Sequence, residues 1–177
     1  NFGGGIKSLS SSVQIQNSEI KNNYAAIGAG IWTGENSSNL ILSGTTIKEN
    51  DASYKGGGLY NTGDYSSIEF DPGNRSSIYS NTAVFGNELF SLSSTELEVF
   101  LDTFTVTIPT DYLATPIENF TFDVLSGILP DLEITVDPNP AYIHPDTNSV
   151  EIQFTVNILD GNISDILFEW DFDEDGE

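Results

Sequence analysis

The residues best suited to bind a metal ion lie near the end of the sequence, where Asp171, Asp173 and Asp175 alternate before Gly176. Alternate carboxylates followed by a glycine that permits a turn can direct several hard oxygen ligands at one Ca²⁺ ion. The segment lacks the distal Glu that an EF-hand loop uses, and no helix flanks it. The alternative is a solvated acidic turn between two strands, and Ca²⁺ is the one cofactor that these residues suggest.

A second candidate site consists of three aromatic residues, Trp32, Tyr60 and Phe90, each of which follows an aliphatic residue. Because side chains alternate between the two faces of a strand, we expect the rings on the outer face of one sheet if the aliphatic residues point inward. Rings stacked at roughly 5 Å intervals would form a flat apolar strip that suits the face of a sugar ring. The alternative is that the rings stack on one another or lie beneath a neighbouring segment.

Catalytic residues cannot be assigned from the sequence. A polysaccharide lyase needs clustered Asp ligands with a Lys or Arg base on the same face, and a glycoside hydrolase needs two carboxylates at a set separation. The nearest approach to such a group is Asp51 between Lys48 and Lys55, and the only histidine, His144, lies in a Pro-flanked loop. The sequence therefore favours a protein without catalytic activity.

These residues lie within a sequence repeat that contains two motifs at a nearly constant distance from each other. The first is a glycine-rich triplet that ends at Gly5, Gly30 or Gly58 and is followed by an aliphatic residue. A degenerate fourth copy begins at Gly86. The aliphatic residues, Ile6, Ile31, Leu59 and Leu89, are 25, 28 and 30 residues apart. The second signal is an Ile followed three positions later by Asn23, Asn50 or Asn81. A period of this size is typical of stacked repeat proteins.

Each repeat contains two or three short strands and no segment periodic enough for a helix. One coil cannot bury its apolar face alone, so we expect equivalent strands to pair from coil to coil about 4.8 Å apart, as in a parallel β-helix. Glycine suits sharp turns and close backbone approach. The recurring asparagines predict a ladder of inward or left-handed amides. A further, degenerate coil is predicted from Leu97 to Phe104, with its last strand at Phe120, Phe122 and Val124.

The combination of GGGI, I-x-x-N and GGGL resembles the bacterial surface β-helices of the pectin-lyase-like superfamily, found in polymorphic outer-membrane proteins and large adhesins. The resemblance covers roughly the first half of the chain. It implies a right-handed parallel β-helix, for which we predict residues 1–127, and an extracellular or cell-surface location. It implies little about activity, because this scaffold serves lyases, hydrolases, adhesins and passive stalks.

Residues 128–177 have a different pattern. Apolar and polar residues alternate from Leu132 to Val136 and again from Val150 to Ile158, which is typical of half-buried strands in an antiparallel sandwich. This part resembles the start of an immunoglobulin-like domain, and the segment around Trp170 is similar to a signature of the polycystic-kidney-disease-like subfamily, although its first glycine is missing. The predicted fold is thus all-β, a parallel β-helix followed by a partial immunoglobulin-like β-sandwich.

Charge also divides the chain. The formal net charge is −22, and all five basic residues lie before residue 90, whereas nineteen of the 27 acidic residues follow it. A segment with this much negative charge repels nucleic acid and anionic lipid. Neither is therefore expected as a partner. No apolar run approaches the roughly 20 residues needed to span a bilayer, and we expect no membrane insertion in this segment.

These observations predict a non-catalytic fragment of a large extracellular bacterial surface protein. It would act as a rigid stalk or adhesin with a surface carbohydrate or protein as its partner. One alternative is the C-terminal end of a polysaccharide lyase or glycoside hydrolase whose catalytic coils precede residue 1. Another is cargo of a bacterial secretion system, in which case the partner is the secretion machinery.

Overall fold

The chain divides into two compact units, Asn1–Asp131 and Leu132–Glu177. The computed structural model describes residues 2–34, 38–63, 67–93, 96–105, 111–128, 132–137 and 153–158. Within these residues the secondary structure is β-strand apart from one short 3-10 helix, Ile117–Asn119. This composition confirms the prediction of an all-β chain.

The first unit is a parallel β-solenoid of about four turns. Its first coil contains β1 (Ile6–Leu9), β2 (Ser12–Gln16), β3 (Glu19–Lys21) and β4 (Tyr24–Ile27). The second contains β5 (Ile31–Gly34), β6 (Asn39–Ser43), β7 (Thr46–Lys48) and β8 (Asp51–Lys55). The later coils contain β9 (Leu59–Asn61), β10 (Ser67–Phe70), β11 (Ser76–Tyr79), β12 (Leu89–Ser91), β13 (Leu97–Phe104), β14 (Ala114–Thr115) and β15 (Phe120–Gly127).

Equivalent strands of successive coils pair in parallel and form four stacked sheets. The first sheet has the order β1-β5-β9-β12-β14, the second β2-β6-β10 and the third β3-β7-β11-β13-β15. A small fourth sheet consists of β4 and β8. The predicted parallel β-helix is therefore confirmed, while its right-handed winding stays a prediction.

The core of the solenoid consists of columns in which one apolar residue of each coil stacks on its equivalent in the next. One column contains Ile6, Ile31, Leu59 and Leu89, and another contains Ile20, Ile47 and Ile78. The interior members of both columns are at most 1% exposed. Each fully buried side chain of this size contributes about 1.5–3 kcal/mol relative to an exposed one. The columns thus join the coils through the same residues that set the repeat period.

The glycine triplets are required for two separate reasons, a positive φ at one position and close contact between coils at another. The first glycine of a triplet has a positive φ, 64° at Gly28 and 62° at Gly56, which side chains disfavour. The last glycine permits close contact between coils, because a Cβ on Gly30 would lie 2.4 Å from the carbonyl oxygen of Gly58. A Cβ on Gly58 would lie 2.6 Å from the carbonyl oxygen of Glu88.

The fourth coil differs because β13 is one uninterrupted strand of eight residues. In the first two coils, Asn17 and Gly44 have φ values of 46° and 58° and turn the chain between the second and third sheets. The segment Leu97–Phe104 contains no Gly, Asn or Pro that would favour such a turn. As a result β13 pairs with β15 along its whole length and with β11 near its end.

The second unit is described by one antiparallel pair of strands, β16 (Leu132–Asp137) and β17 (Gln153–Ile158). Leu132 pairs with Ile158 at one end of this ladder, and Asp137 pairs with Gln153 at the other. Both strands fall where the sequence alternates between apolar and polar residues. The immunoglobulin-like sandwich stays a prediction, because the other segments that would form it lie outside the described residues.

Candidate functional site

The three aromatic residues singled out above form a stack along the first sheet. The ring centroids of Trp32 and Tyr60 are 6.5 Å apart with planes 14° from parallel, and those of Tyr60 and Phe90 are 5.3 Å apart at 9°. Strands β5, β9 and β12 hold the rings in register. Because the preceding aliphatic residues belong to the main core and the rings to a separate cluster, the rings lie on the opposite face of the sheet.

The stack is covered, which is the arrangement that the alternative interpretation describes. Trp32, Tyr60 and Phe90 are 6%, 7% and 5% exposed, and burial raises the pKa of Tyr60. Ile27 packs on the cluster, and the Nζ atom of Lys55 lies 4.6 Å from the centre of the Phe90 ring. These residues end β4 and β8, so the small fourth sheet supplies the cover. Binding of a sugar to the rings stays a prediction that requires this cover to move.

We expect Tyr60→Leu to lower the free energy of unfolding of the first unit by about 2 kcal/mol. The substitution removes a ring that is stacked on both sides, and an aromatic pair contributes about 0.5–1.5 kcal/mol beyond its buried area. Tyr54→Leu is the matched control, because Tyr54 is 47% exposed and makes one edge contact with Phe85. Urea unfolding, monitored by circular dichroism, measures the loss of unfolding free energy in each variant. Equal losses in the two variants would contradict a structural role for the stack.

A ladder of amides joins the first three coils. The backbone N–H and the Nδ2 group of Asn23 donate to Oδ1 of Asn50, at 3.1 and 2.9 Å. The same two groups of Asn50 donate to Oδ1 of Asn81, at 3.0 and 2.9 Å. The positive φ expected near these residues falls one position earlier, at Asn22, Glu49 and Ser80. The Nδ2 groups of Asn50 and Asn81 each donate to one carbonyl oxygen of their own coil and to one of the preceding coil.

The ladder and the glycine triplets belong to one packing arrangement. A Cβ on Gly5, Gly30 or Gly58 would lie 2.8, 3.1 or 3.0 Å from the Nδ2 atom of Asn23, Asn50 or Asn81 respectively. Each asparagine amide thus occupies space that a side chain on the last glycine of the triplet would enter. The two sequence signals keep a constant phase because their residues are in contact.

The ladder ends on Glu88, a buried carboxyl group that sequence analysis did not single out. Glu88 follows Gly86 and Asn87, where the other repeats have the last glycine of the triplet. Asn81 donates its backbone N–H to Oε1 at 3.3 Å and its Nδ2 group to Oε2, and the Thr105 hydroxyl donates to Oε1. Every step of the ladder requires an acceptor on the next coil, and a carboxyl group supplies two oxygens, of which at least one accepts in either protonation state. The replacement of the glycine by Glu was the available sequence signal.

The environment of Glu88 opposes its ionisation. Its exposure is 0%, and burial raises its pKa to about 7, although hydrogen bonds from Thr105 and Asn81 act in the opposite direction. A carboxyl group without exposed surface does not reach a substrate in solution. We therefore assign Glu88 to the structure of the ladder rather than to acid–base catalysis.

The predicted calcium ligands Asp171, Asp173 and Asp175, and also His144, lie outside the described residues. In the part of the chain that the structure describes, no group of three or more His, Cys, Asp or Glu side chains is placed to hold a metal ion. The structure does not bring Lys48 to Asp51, because the Lys48 ammonium instead lies 3.2 Å from a carboxylate oxygen of Glu19.

The chain matches no known family, no curated protein and no solved structure. Among the described residues, no helix has both the length and the apolar character needed to cross a bilayer. The resemblance to pectin-lyase-like surface proteins accordingly stays a prediction from the motif.

Proposed function

We propose that the first unit is a rigid, non-catalytic stalk of a bacterial surface or secreted protein, which displays a binding surface outside the cell. The observation that supports this proposal is the in-register pairing of successive coils in several sheets at once. Paired strands lie about 4.8 Å apart, so each coil adds a fixed length along the stack. A stalk requires length and stiffness, and both follow from this arrangement.

Stiffness follows from the way neighbouring coils are bonded. The backbone N–H of Ile31 donates to the carbonyl oxygen of Gly58, and that of Leu59 donates to the carbonyl oxygen of Glu88, each at 2.9 Å. The buried amides add hydrogen bonds between the same coils, and the apolar columns add packing. Separation of two neighbouring coils along the stack would break all the contacts between them together, so each boundary between coils should resist force.

We further propose that the second unit is the start of an immunoglobulin-like sandwich, and that Ca²⁺ bound at its acidic turn stiffens it. Stretching the 177-residue chain from its ends in an optical trap tests both parts. We expect the first unit to keep its length until it unfolds at high force. Adding Ca²⁺ should raise the unfolding force of the second unit in the native chain and not in Asp173→Ala.

Gradual extension of the first unit at low force would overturn the rigid stalk. A direct assay addresses the enzymatic alternative, in which the chain is incubated with a panel of surface polysaccharides. We expect no new reducing ends and no unsaturated products. Their appearance would favour a polysaccharide lyase or glycoside hydrolase instead.

A further inference from the structure

The exposed apolar side chains of the first unit are concentrated on its fourth sheet. Eight large apolar residues are exposed among the described residues, and five of them lie on or beside β4 and β8. These five are Phe2, Tyr24, Tyr54, Val84 and Phe85. Phe2 forms a bridge to Ile27 of β4, and Phe85 forms a bridge to Lys55 of β8. Exposed apolar groups gathered on one surface indicate an interaction site, whereas single ones need no explanation.

Part of this surface combines apolar side chains with a positive charge. The rings of Tyr54 and Phe85 have centroids 5.7 Å apart and planes at 85°. The Nζ atom of Lys55, a half-buried residue, lies 5.0 Å from the centre of the Tyr54 ring and 4.6 Å from that of Phe90. Val84 directly precedes Phe85 and is 60% exposed. An ammonium group and apolar side chains therefore share this part of the surface.

Lys7 provides a second ammonium group in a similar position. Its Nζ atom lies 5.7 Å from the centre of the Phe2 ring and 5.1 Å from that of Trp32. Trp32 and Phe90 lie on β5 and β12, which are two strand spacings apart in the first sheet. The ammonium groups of Lys7 and Lys55 are therefore separated by roughly 10 Å along the stack.

These two lysines differ from the other basic residues in their charge environment. In the part of the chain that the structure describes, Lys7 and Lys55 form no salt bridge, whereas the three other basic residues each pair with a carboxylate. The described strands of the first and fourth sheets contain one acidic residue, Asp51, at the opposite end of β8 from Lys55. The Thr82 hydroxyl donates to that carboxylate at 3.0 Å. These two sheets thus carry a local positive charge on a chain whose net charge is −22.

We propose that this surface binds an acidic segment of a partner protein, in which two carboxylates flank apolar side chains. The carboxylates would pair with Lys7 and Lys55, and the apolar side chains would pack on the exposed rings and on Val84. Complementary charge in a local patch favours such a partner and fixes its position. This inference rests on the proposed function, in which the stalk displays a binding surface, and gives that surface a position and a partner.

The exposed groups favour a peptide over an acidic polysaccharide. A sugar ring stacks on an open aromatic face, whereas the Lys55 ammonium lies over the Tyr54 ring and the Phe85 ring stands nearly perpendicular to it. Val84 offers methyl groups rather than a flat face. Apolar side chains of a peptide can pack on methyl groups and ring edges at ordinary contact distances.

The probe for this surface is an acetylated and amidated six-residue peptide in which Leu and Phe stand between two Asp residues and Gly stands at each end. Three residue steps of about 3.3 Å allow its carboxylates to match a separation of roughly 10 Å. Binding to the isotopically labelled 177-residue chain is measured by NMR in about 0.1 M salt, which screens distant charges. We expect the amide signals of Tyr54, Lys55 and Phe85 to shift on titration. The acidic chain repels this peptide in general, so unspecific attraction cannot imitate binding.

Two double variants of equal charge separate this surface from the other basic residues. The first is Lys7→Gln with Lys55→Gln, and the second is Lys21→Gln with Lys48→Gln. The second pair lies on β3 and β7, where both ammonium groups pair with Glu19. We expect the first variant to weaken binding at least tenfold and the second less than twofold. Circular dichroism establishes that both variants keep the fold.

A single substitution tests the apolar part without changing either lysine. Val84→Glu places a carboxylate on the surface and should weaken binding at least tenfold. Leu125→Glu is the matched control, because Leu125 is 66% exposed and lies on β15 in the third sheet. We expect it to weaken binding less than twofold.

Four results would overturn the proposal. They are unchanged signals on titration, equal losses in the matched variants, undiminished binding of a peptide with Ser in place of Leu and Phe, and binding of an acidic polysaccharide but not of the peptide. The third would show that charge alone is recognised, and the fourth would assign the surface to a carbohydrate. Failure here leaves the stiffness of the stalk untouched, since the stretching experiment does not depend on this surface.

Discussion

Raising the pH from 5 to 8 should lower the free energy of unfolding of the first unit by about 2–3 kcal/mol, and Glu88→Gln should remove most of this loss. The reason is the buried carboxyl group at the end of the amide ladder. Burial raises its pKa to about 7, whereas the ordinary value is 4.5. Gln keeps one oxygen that can accept hydrogen bonds from Asn81 and cannot ionise.

The sign follows from the proton bound to Glu88 in each state. Below pH 4.5 the carboxyl group is protonated in both states, so its full contribution to stability is present. Between pH 4.5 and about 7 the unfolded chain releases the proton and the folded chain retains it, so stability falls by up to about 1.4 kcal/mol for each pH unit. Above pH 7 both states are ionised and the loss is complete.

Other carboxyl groups act in a different pH range. Hydrogen bonds from Lys21, Ser43 and Arg75 are the main causes of lowered pKa values at Glu19, Asp71 and Asp123 respectively. A lowered pKa contributes stability that is lost as the pH falls below the ordinary value near 4. Their effect is therefore nearly complete at pH 5, where the comparison begins.

Urea unfolding of the native chain and of Glu88→Gln at pH 5, 6, 7 and 8 measures the effect. Groups that the two chains share contribute equally to both curves, so the difference between the curves isolates the contribution of Glu88. Glu49→Gln is the matched control, because it removes a carboxyl group from an exposed position. Parallel curves for the native chain and Glu88→Gln would disprove the assignment to Glu88.

The stacking of the coils could be predicted because it depends on residues that repeat. Ile31 and Leu59 occupy the same register position in consecutive coils, so each must meet its equivalent when the coils stack. The glycine triplet has the same property, since the need for a positive φ at Gly28 recurs at Gly56. A constraint that acts between neighbouring coils requires the same residue type in each coil. Such residues recur in the sequence at the repeat length, and this spacing predicts the fold.

The features that were missed depend on single departures from the repeat. Glu88 ends the ladder because it replaces a glycine, and β13 is one uninterrupted strand whose segment has no Gly, Asn or Pro at the place where the earlier coils turn. The identity of the segment that covers the aromatic stack depends on contacts such as that between Lys55 and Phe90, which are far apart in the sequence. None of these departures has a period, so only the folded arrangement shows their effect.

Asn81→Ala should destabilise the first unit far more than the same substitution at Asn23, by about 4 kcal/mol against about 1 kcal/mol. Asn81 is 3% exposed, accepts two hydrogen bonds from Asn50 and donates to the carbonyl oxygen of Ile47 at 3.0 Å. Its loss strands several buried polar groups, each at a cost of about 1–3 kcal/mol. Asn23 is only partly buried, so water can replace some of the hydrogen bonds that its amide makes.

Unfolding in urea at pH 6 compares the two alanine variants, and similar losses would contradict an ordered ladder whose interior steps are the most costly. A double-mutant cycle with Glu88→Ala extends the comparison. Asn81 and Glu88 share their hydrogen bonds, so the double variant should be more stable than the sum of the single losses predicts, by at least about 1 kcal/mol. Additive losses would mean that the two residues act independently. Coupling would show that one carboxyl group, in the place of a missing glycine, completes the ladder of the preceding coils.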